Sequence, residues 1–296
     1  MPKKVTFADL AARYRVTGGR KFRLKDHDPA DTWKFNGKAG AAALLAQGVE
    51  RLAALQEKLY AEDQRAVLLI FQAMDAAGKD GTIKHVMTGV NPQGCHVTSF
   101  KAPSATELDH DFLWRSSCAL PERGRIGIFN RSYYEETLVV RVHPEFLKTQ
   151  RLPAKLVTRH IWRERFEDIV AYERHLARNG TVVRKFFLHL SKAEQKRRFL
   201  ARLDEPAKNW KFSAADLKER ARWDEYQAAY EETIARTATP DAPWHVIPAD
   251  NKWFARMAVM AAVIETLESL ELAFPKVDQA QRAELEVART ALEGEG

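Results

Sequence analysis

The chain has 296 residues, 45% hydrophobic and 29% charged, with a net charge of +7. Its length and apolar content supply a full core for one large α/β domain or two modest ones. Its two cysteines, Cys95 and Cys118, exclude a disulfide framework and a zinc pattern and suit a reducing cytoplasm. The nine histidines show no H-E-x-x-H spacing. The positive charge favours a polyanionic partner: nucleic acid, nucleotide, a phosphate polymer or an acidic membrane.

Residues 1–38 are basic and aperiodic, with Arg13, Arg15, Arg20, Lys21, Arg23 and Lys25, and read as an irregular arm without an apolar signal region. Ala39 to Tyr60 carries leucines at helical spacing and is expected to be a helix. Five apolar runs, 66–72, 95–100, 125–130, 182–189 and 244–248, read as strands. They do not alternate, which points to a parallel sheet buried on both faces. Helices are expected between them: from a Ser104 cap to about Ser117, from Pro153 to Asn179-Gly180, from the capping box Ser191/Glu194, and from Ser213. Another follows Asp250 and runs through Leu267; its apolar core from Trp253 is too short to span a bilayer. A last amphipathic helix covers 277–292. This is one α/β/α domain, 39–272, with a basic arm before it and a helix over 273–296 after it. A soluble cytoplasmic protein without membrane contact is expected.

The first strand leads into Met74-Asp75-Ala76-Ala77-Gly78-Lys79-Asp80-Gly81-Thr82. Strand, glycine-bearing turn with lysine, then helix builds a phosphate cradle from inward backbone N–H groups and a helix N-terminus. Against a Walker A loop, Ala73 replaces a glycine and Asp80 replaces Ser or Thr. A carboxylate in such a loop repels phosphate unless a divalent metal intervenes, so Asp75, with Asp80, reads as magnesium-associated. The bland alternative is an ordinary strand-to-helix turn with a solvated Lys79. Ile126 to Asn130 has the form of a Walker B strand ending in Asn130 where an acid is usual. Arg131 is placed to meet a phosphate in bidentate fashion; alternatively it pairs with a surface carboxylate. Ligands of open parallel sheets sit beyond the strand carboxyl ends, where both motifs fall. Arg184 to Arg222 is dense in basic residues and is expected to hold a lid, about 191–222, over the phosphates. A solvated helix face is the competing reading. Trp210 within it is expected to be buried.

These runs resemble the polyphosphate kinase type 2 family. The resemblance rests on Met74 to Ile83, Phe129-Asn130-Arg131-Ser132-Tyr133-Tyr134-Glu135 and Gln195 to Lys211. It is joined by Asp26 to Thr32, Asn91 to Gly94, Phe112 to Arg115 and Lys252 to Arg256, and covers roughly residues 20–270. It implies a P-loop kinase-like α/β/α sandwich of about five strands with a helical lid. The reaction would be Mg²⁺-dependent transfer of a terminal phosphoryl group between inorganic polyphosphate and a nucleotide, with Mn²⁺ as a substitute ion. By motif match, Asp75, Lys79 and Arg131 would be catalytic, and Ala77, Gly78, Asp80, Gly81 and Thr82 would bind phosphate. Asp75 and Asn130 would hold the metal. Arg198, Arg202, Lys208 and Lys211 would belong to the lid and polyphosphate path. Asn130, Glu135 and Arg115 would meet the nucleotide acceptor.

The run Tyr134 to Pro144 resembles the subgroup that uses nucleoside mono- and diphosphates, so AMP, ADP and ATP, with guanine nucleotides as alternatives, are the expected partners. A homo-oligomer, dimer or tetramer, is expected, and nucleic acid is not. The competing functions are an ATP-dependent nucleotide kinase and a non-catalytic nucleic-acid binder.

Overall fold

The computed structural model describes residues 5–295; residues 1–4, the start of the expected basic arm, and residue 296 lie outside them. Six strands form one sheet: β1 (Arg15–Val16), β2 (Ala66–Ala73), β3 (Cys95–Ser99), β4 (Ile126–Asn130), β5 (Thr181–His189) and β6 (Trp244–Pro248). Their order is β1-β6-β5-β2-β4-β3. All neighbours are parallel except β1, which pairs antiparallel with β6. The five expected strands are present, and β1 is an addition.

Helices cover both faces. They are α1 (Phe7–Tyr14), α2 (Gly37–Glu62), α3 (Lys79–Val86), α4 (Ala105–Leu108), α5 (Trp114–Ser117), α6 (Val139–Val142), α7 (Ile161–Arg178), α8 (Lys192–Asp204), α9 (Ala214–Ala221), α10 (Trp223–Thr237), α11 (Lys252–Glu268) and α12 (Gln279–Glu293). Every residue of β2 is buried. Val67, Leu69 and Phe71 pack on one side with Leu10, Leu52 and Met260, while Leu68 and Ile70 pack on the other with Ile169 and Ile234. The unbroken apolar run of β2 therefore reflects a central strand covered twice. Among the described residues, no helix is long and apolar enough to cross a membrane.

The expected irregular arm is ordered. Thr6 and Asp9 form a capping box at the start of α1, and Leu10, Ala11 and Tyr14 are buried against the body of the domain. The helix is too short for its period to stand out among the arginines. Beyond β1 the chain passes close over α10: a Cβ on Gly19 would lie 1.8 Å from the Ala235 carbonyl oxygen. Two helix boundaries also differ. Ser104 does form a capping box with Glu107, but α4 ends at Leu108 and α5 is separate. The long helix expected from Pro153 begins at Ile161, because Pro153 heads a short 3-10 turn, Ala154–Leu156. α12 buries none of its residues.

Candidate active site

The loop after β2 lies at the carboxyl edge of the sheet. Gly78, at the N-cap of α3, has φ +97°, a conformation that suits glycine, and Ala76 adopts φ +63°. The carbonyls of this loop are tied backwards to α8. Gln195 Nε2 donates to Asp75 O (2.9 Å), and Arg198 Nη1 donates to Ala76 O (3.0 Å) and Ala77 O (2.9 Å). In a trans peptide the N–H opposes the carbonyl, so the N–H groups of Ala76 and Gly78 turn away from α8. The first-turn N–H groups of α3, at Asp80 and Gly81, add to them. Of the other residues expected at the phosphate, Ala77 N–H closes a turn on Met74 O (3.2 Å), and Thr82 N–H bonds Gly78 O (2.9 Å).

Lys79 bends back across the loop, its Nζ donating to Ala73 O (3.2 Å). Burial, then neighbouring Arg131, lowers its pKa to about 8. Arg131 follows β4 at φ +65°, and its N–H bonds Phe71 O at 3.0 Å. Its guanidinium reaches Asp75 Oδ1 (3.1 Å) and Glu135 Oε2 (2.8 Å). Glu135 and Asp75 push its pKa up against the effect of burial. Gln72, buried at the end of β2, donates to Glu135 Oε1 (2.8 Å) and accepts from Ser132 Oγ (3.1 Å), the amide orientation that satisfies both ends. Sequence reasoning passed over Gln72. Its one signal was an amide inside an otherwise apolar strand.

Asn130 Nδ2 donates to Asp80 Oδ1 (2.7 Å), tying the end of β4 to the start of α3. Asp75 and Asp80 thus each engage a side chain at the end of β4, Arg131 and Asn130 respectively. Among the described residues, no three His, Cys, Asp or Glu side chains gather into a metal cage. One or two carboxylates beside a phosphate cradle fit Mg²⁺, which takes its other ligands from phosphate oxygens and water.

The basic segment after β5 divides. Arg198 was expected on the lid and polyphosphate path, but it lies beneath the loop. Only 5% exposed, it also donates from Nη2 to Ala249 O (2.6 Å) and Asp250 O (3.0 Å). Glu194 accepts from its Nε at 2.7 Å and pairs with Arg197 at 2.6 Å, so the box expected with Ser191 is one-sided. Arg202 sits farther out, bonded to Lys211 O (3.2 Å) and Asp216 (3.3 Å). Lys208 pairs with Glu205, and Lys211 Nζ lies 4.9 Å from the Trp210 ring centroid. Trp210 is 78% exposed, not buried, because its turn projects from the body. Burial and then the charge of Asp75 raise the pKa of Asp216, at the start of α9. Arg256 of α11 comes within 3.7 Å of where a Gly81 Cβ would be.

Beside Arg131 opens a cavity of about 620 Å³. Phe100, Phe112, Arg115, Glu135 and Arg165 are among its walls. Arg115 lies 5.2 Å from the Phe100 ring centroid and donates to Lys101 O (2.8 Å). Arg165 lies 4.4 Å from the Phe112 ring centroid and pairs with buried Glu136 (3.1 Å). Aromatic walls with arginines at this size suit a nucleotide.

A strand-to-helix phosphate loop with its lysine, faced by an arginine across the sheet edge, defines a P-loop phosphoryl-transfer site. The family model of Polyphosphate kinase 2 matches residues 34–275, and the chain belongs to that family. It is 54% identical over 275 residues to an ADP-polyphosphate phosphotransferase of Rhodopseudomonas palustris, covering 90% of this chain and 95% of the relative. It is 47% identical over 269 residues to an AMP/ADP-polyphosphate phosphotransferase of Meiothermus ruber, covering 90% and 97%. The crystal structure of Polyphosphate Kinase 2 from Arthrobacter aurescens TC1 superposes with a TM-score of 0.85 at 42% identity, covering 96% of this chain and 97% of that one.

Proposed function

We propose that the protein transfers the terminal phosphoryl group of inorganic polyphosphate to nucleoside mono- and diphosphates, reversibly, making ADP from AMP and ATP from ADP. The observation that carries this reading is the position of Arg131, whose guanidinium joins the phosphate loop through Asp75 to the nucleotide-sized cavity through Glu135. A group passing from donor to acceptor would pass that guanidinium. Phosphoryl transfer needs in-line positioning and neutralised charge more than covalent help, and the acceptor oxygen is already anionic. No general base is assigned.

The roles follow. The N–H groups of Gly78, Asp80 and Gly81, with Lys79, hold the donor's end. Asp75 would hold Mg²⁺, or Mn²⁺ in its place, with Asp80 and Asn130 beside it; when bound, the ion neutralises phosphate charge. Arg202, Lys208, Lys211 and Arg256 offer a basic path for a chain that has no base to recognise, which accounts for the +7 charge. Arg115 and Glu135 face the acceptor nucleotide in the cavity. The exposed apolar side chains of Phe274, Leu285, Val287 and Leu292 support self-association into a dimer or tetramer. The free thiols of Cys95 and Cys118 suit a cytoplasmic setting.

The test mixes purified protein and Mg²⁺ with AMP or ADP, using polyphosphate or ATP as donor. Product from ATP alone overturns the reading, and side-by-side rates with AMP and ADP give the acceptor preference. Lys79→Ala and Asp75→Ala each lower the rate at least ~100-fold without unfolding the protein. Full activity in either removes the site.

A further inference from the structure

A polar cluster lies buried behind the Arg131 turn, where the reading above gives it no task. Glu173 of α7 and Lys185 of β5 pair at 2.6 Å, with side-chain exposures of 1% and 0%. Glu173 Oε1 accepts from both Tyr133 (2.9 Å) and Tyr134 (2.7 Å). Lys185 Nζ spends its remaining donors on the Tyr134 hydroxyl (3.1 Å) and Thr237 O (2.8 Å). The cluster is therefore satisfied, and its two tyrosines occupy the chain between Arg131 and Glu135.

Stability alone is a poor reason for this pair. Burying two charges costs desolvation, and well-packed apolar replacements of similar volume are often neutral or stabilising. Glu173 sits on the same face of α7 as buried Phe166, Ile169 and Leu176, where an apolar side chain is the ordinary occupant. What an apolar residue cannot do is orient the turn. Two hydroxyls from successive residues, meeting on one oxygen, set both its rotation and its depth. The rings add contacts at fixed angles: Tyr133 meets Tyr172 edge-on at 5.5 Å, and Tyr134 meets Trp244 at 4.8 Å. Burial raises the pKa of both hydroxyls, so they remain donors at neutral pH.

We infer that Glu173 and Lys185 are positioning residues for phosphoryl transfer, holding Arg131 and Glu135 in register with the phosphate loop through Tyr133 and Tyr134. The inference rests on the role given above to Arg131. An Arg131→Met control separates the two: if it keeps full kcat, the reading of Arg131 fails, whatever Glu173 does.

The test is the paired replacement Glu173→Leu with Lys185→Met, compared with Tyr133→Phe/Tyr134→Phe, which keeps the ion pair and both rings. Circular dichroism and melting temperature report folding, and kcat and both KM values are measured per folded molecule. The paired variant is expected to lose at least ~10-fold in kcat. Nucleotide KM should rise while polyphosphate KM stays within about twofold, since Glu173 does not hold the 74–82 loop. The double-Phe variant is expected to lose about threefold or more in kcat. A role in stability alone predicts a lowered melting temperature with unchanged kcat, and that result overturns the inference. If the paired variant does not fold, the double-Phe variant decides: wild-type kcat in it overturns the inference.

Discussion

Arg198→Met is the perturbation that best separates a residue beneath the phosphate loop from one that grips the donor. The substitution keeps most of the apolar stem and removes the guanidinium. Five contacts go: Ala76 O, Ala77 O, Ala249 O, Asp250 O and Glu194 Oε1, at 2.6–3.0 Å. Hydrogen bonds to charged groups contribute ~1.5–3 kcal/mol each, but they do not add, and the guanidinium no longer has to be desolvated. Glu194 keeps Arg197 as a partner. Breaking a buried charged cluster by removing one member costs ~3–5 kcal/mol. At about 2–4 °C per kcal/mol for a chain of this size, the melting temperature should drop roughly 6–20 °C.

Activity should fall as well, because the released carbonyls let the Ala76 and Gly78 N–H groups rotate. Misplacement of about 1 Å costs ~100-fold. The assays are thermal unfolding and steady-state kinetics with polyphosphate and nucleotide varied in turn. Under this reasoning stability and kcat fall together. A variant that melts within about 2 °C of wild type and shows only a raised polyphosphate KM refutes it. That result would put the guanidinium on the donor chain.

Three further outcomes are expected. Lys79 has a pKa of about 8 in the ligand-free protein, against an ordinary 10.5. Phosphate needs its charged form, so polyphosphate KM should rise as pH climbs above about 8, and a flat profile there contradicts the assignment. Between those two values the unfolded chain binds more protons than the folded one, so this group's contribution to ligand-free stability rises with pH, as urea melts across the window would show. Gly19→Ala should destabilise by about 1–3 kcal/mol in urea melts, because backbone stands where its Cβ would go; wild-type stability would mean the 15–22 segment is not seated on α10. Ending the chain at Lys276 should leave the melting temperature within about 1 °C at concentrations where the protein is monomeric, since α12 buries nothing within one chain; a larger drop there would reveal an intramolecular contact for that helix.

The cradle was readable because its geometry is local. A strand, Gly78 at positive φ and a helix start require only neighbouring residues, and the unbroken apolar runs of β2, β4, β5 and β6 mark a sheet covered on both faces. The place of Arg131 beside the loop was readable for the same reason, since it follows directly from a strand end. The partners were not. Arg198 reads as one basic residue in a charged helix, and only folding brings it to a carbonyl 122 positions away. Trp210 reads as core by its type, yet its turn carries it outward. The N-terminal helix hid among arginines because eight residues give too few turns for a period to register.

Sequence by itself determined the chemistry on offer: a strand-to-helix glycine loop with its lysine, two acids in or beside it, an arginine at a strand end and a surplus of positive charge. These depend on residue type and on contacts within a few positions. Tertiary structure decided how those residues are used. It put Arg198 under the loop rather than over it, placed Gln72 against Glu135, and set the Glu173–Lys185 pair behind Tyr133 and Tyr134. The physical reason is that a charged or polar side chain takes its role from whichever groups packing leaves beside it, and those groups come from distant parts of the chain.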